Sequence, residues 1–282
     1  MYKGKNILIT GASSGLGKYL ALSYANNGGR IINLSRNIDR MKNLNGRLNQ
    51  INKLENRYHS VDVSKYGEIL DVKNTLIKKN ILPDVIINNA AGNFLCPLEN
   101  ISPNGWNRII DIVLNGSFNI YHIFGKELIK KKKRAVFLNI STTYSENSSA
   151  LVIPSACAKA GVDNLMKGLT TEWSQYGLRF VGIAPGPIEN SGGLDKLDPL
   201  GIFKHYNNYI NPSKRMCHPN EIADLSLYLT SVKADYINGE IIKIDGGEYI
   251  KNSGEFNFLT NIPFYNKLFT PLKLKSKYFT QN

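Results

Sequence analysis

The chain has 282 residues, 42% of them hydrophobic, and a formal net charge of +13 at pH 7. That content suffices for one large core, and no apolar run approaches the roughly 20 residues needed to span a bilayer, so a soluble single domain is expected. Three cysteines without a CxxC pair, Cys96, Cys157 and Cys217, argue against a disulfide framework or zinc site and fit a reducing compartment.

A strand at 6–10 opens the chain so early that no targeting peptide is expected; the cytoplasm is the default compartment for a complete chain, with a mitochondrial one open for a trimmed N-terminus. A glycine-rich turn, Thr10-Gly-Ala-Ser-Ser-Gly-Leu-Gly17, leads into a helix ending near residue 27. Strands follow at 31–34, 58–61 and 84–88, separated by helices that end near 55 and span 65–79. Ile109, Ile110, Val113, Leu114, Phe118 and Tyr121 recur at helical spacing within 103–133. A strand at 135–140, a helix over 155–176 and strands at 178–184 and 240–244 complete the pattern. Alternating strands and helices predict an α/β class: a single doubly wound Rossmann domain over 1–258, with a parallel sheet and helices on both faces. Its ligands should bind beyond the carboxyl ends of the strands. Residues 186–212, with glycines and prolines around a helix expected at 200–210, read as a substrate lid. Residues 259–282, basic and aromatic without a period, read as a poorly ordered tail.

The charge alone leaves nucleic acid, an acidic membrane surface or a polyanionic small molecule open. The dense basic run Lys130–Arg134 closes a predicted helix, where cations suit the negative end of the dipole. An anionic substrate is therefore expected, with no nucleic acid and no membrane as partner. In the turn after the first strand, Gly11 permits the bend, Gly15 lets the backbone approach a pyrophosphate, and Gly17 allows close packing of helix on strand. Ser13, Ser14 and Leu16 complete a cradle at a helix N-terminus, where phosphate charge is attracted. At the end of the second strand an NAD-binding chain would place an acid on the ribose 2′-hydroxyl; here stands Arg36, whose guanidinium suits a 2′-phosphate. NADPH is thus the expected cofactor, with a merely solvated Arg36 as the alternative. Asp62 and Val63 end the third strand, where a carboxylate can accept the adenine amino hydrogen, and Asn89 and Ala90 end the fourth, where adenosine must lie flat. The loop after 135–140 carries a phenol, Tyr144, and the next helix an ammonium, Lys159; this pair is the candidate chemical centre. His59, His122, His205 and His218 show no paired spacing, so no metal is expected, and Cys157 reads as a small buried filler.

TGxxxGxG at 10–17, NNAAG at 88–92, Asn115, Lys159, Pro185-Gly-Pro-Ile188 and Asp245-Gly-Gly247 occur in order, and with them the chain resembles the short-chain dehydrogenase/reductase family from end to end. That family places its catalytic tyrosine four residues before the lysine. Here that position is Ser155, and the usual serine position holds Thr142. A narrower resemblance, carried by Asn88–Phe94, Ser102–Trp106, Asp111–Gly116, Ile153–Val162, Leu197–Pro199 and Ser253–Asn257, is to the mitochondrial-type 2,4-dienoyl-CoA reductases. Their catalytic tyrosine lies on the loop after the fifth strand, where Tyr144 stands.

This resemblance implies NADPH-dependent reduction of 2,4-dienoyl-CoA to trans-3-enoyl-CoA in the β-oxidation of unsaturated fatty acids, by a homotetramer. It also implies roles. Tyr144 and Asn93 hydrogen-bond the thioester oxygen, and Lys159 holds the nicotinamide ribose while lowering the phenol's pKa. Ser155 contacts substrate or cofactor, and Asn115 orients the lysine through water. Pro185, Gly186, Pro187 and Ile188 form a cofactor turn, while Phe94, Ser102 and Lys196 belong to the substrate site, Lys196 near the CoA phosphates. A conjugated thioester accepts hydride at C5, remote from the oxygen that gathers the charge, which gives the phenol a reason to move from 155 to 144. Two other readings stay open: a related reductase for another enoyl or carbonyl substrate, and a non-catalytic NADP(H)-binding scaffold.

Overall fold

The computed structural model describes residues 1–191, 197–198, 200–202, 205–206 and 211–261. Lys196, much of the expected lid and residues 262–282 of the expected tail lie outside them. Seven strands, β1 (Asn6–Thr10), β2 (Arg30–Ser35), β3 (Arg57–Ser60), β4 (Val85–Asn88), β5 (Ala135–Ile140), β6 (Leu178–Pro185) and β7 (Ile241–Ile244), form one sheet in the order β3-β2-β1-β4-β5-β6-β7. Every neighbouring pair is parallel. The helices are α1 (Gly15–Asn26), α2 (Ile38–Asn52), α3 (Tyr66–Lys78), α4 (Pro103–Ile110), α5 (Gly116–Lys130), α6 (Tyr144–Asn147), α7 (Ile153–Trp173), α8 (Pro219–Thr230) and α9 (Glu248–Ser253). None of the described helices is long and apolar enough to cross a membrane.

Alternation along the strands divides the core in two. Ile7 and Ile9 of β1, Ile87 of β4 and Ile183 of β6 pack with Leu20 of α1, Leu48 of α2 and Ile222 of α8. Leu8, Ile86, Phe137 and Phe180 point to the other face and meet Val72 of α3, Phe124 of α5 and Met166 of α7. Each such side chain contributes about 1.5–3 kcal/mol on burial. Phe137 and Phe180 stack at 5.0 Å between ring centroids, with Tyr121 edge-on to Phe137 at 5.5 Å. The strand order reverses between β1 and β4, and this opens a crevice at the carboxyl ends of the strands.

Four features depart from the sequence reading. The helix expected across 103–133 is interrupted by a π turn at Asp111–Asn115, which turns Val113 into the core and leaves Asn115 exposed. Phe118, counted on the apolar stripe, is 44% exposed and stacks on His122. Cys157, expected as buried filler, is exposed. Helix α8 was not anticipated, although it carries a capping box in which the Asn220 N–H donates to His218 Nδ1 and Glu221 accepts from the His218 N–H.

Candidate functional site

A cavity of about 1790 Å³ lies at the carboxyl ends of the strands. One end is shaped for a dinucleotide. Gly11 and Gly15 adopt φ of +70° and +51°, where other residues are strained. A Cβ on Gly15 would run into the Ser191 carbonyl, and one on Gly17 into the carbonyl of Gly11, so the turn closes only with glycine. The N-cap of α1 is Ser14, whose side chain caps nothing, and the first turn has no acid. Helix α2, by contrast, has Asn37 accepting from the Arg40 N–H at 2.9 Å. The positive end of α1 can therefore attract an anion. Asn89 braces the turn: its side chain donates to the Thr10 carbonyl at 2.9 Å and its N–H to Thr10 Oγ1 at 3.0 Å.

Ser13, Ser14 and Leu16, like Val63 and Ala90, stand on the cavity wall, as does the turn Pro185–Ile188. Arg36 lies on the wall after β2, and Arg40, one turn into α2, joins it. Asp62 accepts from the Ser64 N–H at 3.0 Å and Oγ at 2.7 Å, and its other oxygen lies 3.5 Å from Arg108. Partial burial works to raise the Asp62 pKa, but the two Ser64 hydrogen bonds, with the charges of Arg108 and Arg36, bring it below its ordinary value.

At the other end the loop after β5 forms the short helix α6, which begins at Tyr144. The Tyr144 hydroxyl lies 3.4 Å from Ser155 Oγ and accepts from Asn93 Nδ2 at 3.3 Å. The Asn93 Oδ1 accepts the Phe94 N–H at 2.9 Å, which fixes the amide with its donor towards the phenol. Lys159, one turn along α7 from Ser155, is 7% exposed and donates to the Ile140 carbonyl. Burial pushes its pKa down to about 8, a shift that the charge of Asp163 partly opposes. Tyr144, Asn93, Ser155 and Lys159 thus share one wall of the cavity.

Three candidates do not reach that wall. Asn115 is exposed at the end of the π turn and donates to Asp111 Oδ1 at 2.8 Å. Ser102 is the N-cap of α4, accepting from the Gly105 N–H at 3.1 Å, and is exposed. Phe94 packs on the core beside α4. Other residues on or behind the wall escaped the sequence reading. A four-residue helix is too short to hold itself, and α6 is held by Glu146, which accepts from Lys243 Nζ at 2.8 Å and from the Tyr249 hydroxyl at 2.7 Å. Lys243 also stands 4.4 Å over the Tyr249 ring. Glu248 lines the cavity, with Oε2 buried and unpartnered among the described residues; burial, helped by Asp245, pushes its pKa up to about 7. Its signal was its place, directly after Asp245-Gly-Gly247 at the carboxyl end of β7.

A family model described as short chain dehydrogenase matches residues 5–198. The chain belongs to the short-chain dehydrogenase family. Among short-chain dehydrogenases of known structure it resembles one from Bacillus anthracis, at 38% identity and a TM-score of 0.80, over 87% of this chain and 96% of that one. A gluconate 5-dehydrogenase from Burkholderia cenocepacia, solved with NADP and tartrate, is 26% identical with a TM-score of 0.82, over 87% and 95% of the two chains. A probable 2,4-dienoyl-CoA reductase of Caenorhabditis elegans, described as (3E)-enoyl-CoA-producing, is 34% identical over 90% of this chain and 83% of its own length. One of Bacillus subtilis, described as (2E)-enoyl-CoA-producing, is 39% identical over 87% of this chain and 97% of its own.

Proposed function

We propose that this short-chain dehydrogenase is an NADPH-dependent 2,4-dienoyl-CoA reductase that yields trans-3-enoyl-CoA. The observation that carries the reading is the position of the Tyr144 hydroxyl, 3.4 Å from Ser155 at the family's vacated tyrosine position and 3.3 Å from Asn93. A phenol supplied from the preceding loop returns to the residue whose place it took, paired with a second hydrogen-bond donor. The relatives named 2,4-dienoyl-CoA reductase support the same substrate class.

The cradle at α1 and Arg36 would hold NADPH, which would supply the hydride that the dienoyl chain accepts at C5. The resulting charge gathers on the thioester oxygen, where Tyr144 and Asn93 donate; one such donor is typically worth about 10²–10³ in rate. Lys159 would bind the nicotinamide ribose. A proton from water at the α-carbon restores the thioester and leaves the 3-enoyl product. Ser155 keeps the phenol in place. Lys196 remains our candidate for a CoA phosphate, and a homotetramer belongs to the same reading.

The test is purified protein with NADPH and a 2,4-dienoyl-CoA, following the cofactor and the conjugated diene together and identifying the enoyl isomer. Consumption of both with a 3-enoyl product is expected. Tight NADPH binding without turnover would contradict the assignment, while a 2-enoyl product would keep the reductase and move the proton to the γ-carbon.

A further inference from the structure

The buried groups behind Lys159 include one carboxylate to which the reaction above assigns no task. Asp163 follows Lys159 by one turn of α7 and is 6% exposed. Its Oδ1 accepts from Asn139 Nδ2 at 2.9 Å and its Oδ2 from the Ser141 hydroxyl at 2.5 Å. Both oxygens act as acceptors, as they do in the ionised form. Asn139 of β5 and Ser141 just beyond it both reach Asp163, and the carbonyl between them, that of Ile140, is the acceptor for Lys159 Nζ. The end of a strand and one turn of a helix therefore bring four polar side chains together, each less than 8% exposed.

Stability does not account for such a cluster. A buried ion pair is often matched or bettered by apolar side chains of the same volume, and Asn139 Oδ1 is left without a partner among the described residues. The site does need a protonated lysine, and burial works against one. Of the titratable groups nearby, Tyr121 of α5 faces Asp163, while Tyr144 of α6 and Glu248 of α9 share the cavity wall with Lys159. Asp163 is the group whose charge acts on Lys159 in the protonating direction.

We propose that Asp163 is a positioning residue, the buried counter-charge that keeps Lys159 protonated at neutral pH, itself oriented by Asn139 and Ser141. The proposal rests on Lys159 being the cofactor-binding lysine of the reading above, but not on the identity of the reducible substrate. NADPH binding as a function of pH therefore tests it without a dienoyl thioester. In the wild type, affinity falls as pH rises through the titration of Lys159. In Asp163→Asn, which keeps the shape, that fall is expected about one pH unit lower, with affinities equal in the acid range and up to about tenfold apart in the alkaline range. Asp163→Glu restores the charge and should return the curve towards the wild type. Superimposable curves, or a variant weakened equally at every pH as a packing defect would produce, overturn the proposal. If Asp163→Asn is insoluble, Lys159→Met/Asp163→Asn removes both charges together and should be soluble and at least as stable as Lys159→Met; an insoluble double variant overturns the pairing too. Normal NADPH titrations with no dienoyl-CoA turnover would sink the proposed reaction and leave Asp163's role standing.

Discussion

Replacing Lys159 with Met removes an ammonium that is only 7% exposed and keeps a side chain of similar length. Burial holds the lysine pKa down from 10.5 to about 8. At ~1.4 kcal/mol per pKa unit, the charged form costs the folded state about 3 kcal/mol near neutral pH. Because the folded pKa is the lower one, the folded protein releases its proton first, and this cost fades as pH rises from about 8 towards 10.5. Lys159→Met should therefore be more stable than the wild type near pH 7 by up to about 3 kcal/mol, a figure that already contains the attraction of Asp163. The advantage should shrink in alkali while NADPH affinity stays weak throughout. Urea unfolding followed by circular dichroism at neutral and alkaline pH reads both terms. A variant less stable than the wild type at neutral pH, or a gap that ignores pH, would refute the argument that this lysine is held at a cost for function.

Arg36→Asp should shift the ratio of kcat/KM for NADPH over NADH towards NADH, and an unchanged ratio would remove Arg36 from the 2′-phosphate. Glu146→Gln should lower kcat while NADPH affinity stays near normal, since Glu146 ties α6 to Lys243 and Tyr249; unaltered kcat would show that α6 is held by other contacts. Ser102→Ala should cost about 1 kcal/mol of stability through the lost N-cap, and a raised KM for the acyl-CoA would return Ser102 to the substrate site.

The sheet was legible because its signals are local. Short apolar runs such as Asp84–Ile87 and Ala135–Leu138 lie between helical patterns, and strand boundaries fell within one or two residues of β1 to β7. The cradle at Gly11, Gly15 and Gly17 was legible for the same reason, as a backbone that tolerates no Cβ announces itself as glycine. Asn115 came from a family motif, and spacing alone does not show that it ends a π turn with its side chain exposed. Apolar spacing at Ile109, Val113 and Tyr121 is compatible with either register. Ser102 matched a family motif, but within the fold its hydroxyl is spent on a helix end. Glu146, Lys243 and Tyr249 escaped notice because they meet across 97 and 103 residues of sequence, and Asp163 because nothing in a helical repeat marks a buried carboxylate until β5 supplies its donors.

The central claim, that the phenol of Tyr144 has taken over from position 155, is tested most directly by comparing kcat on a 2,4-dienoyl-CoA for Tyr144→Phe and Ser155→Ala at saturating NADPH. Tyr144→Phe is expected to lose about 10²–10³ in kcat with cofactor affinity preserved, and Ser155→Ala to lose much less. A silent Tyr144→Phe beside a severe Ser155→Ala would contradict the account.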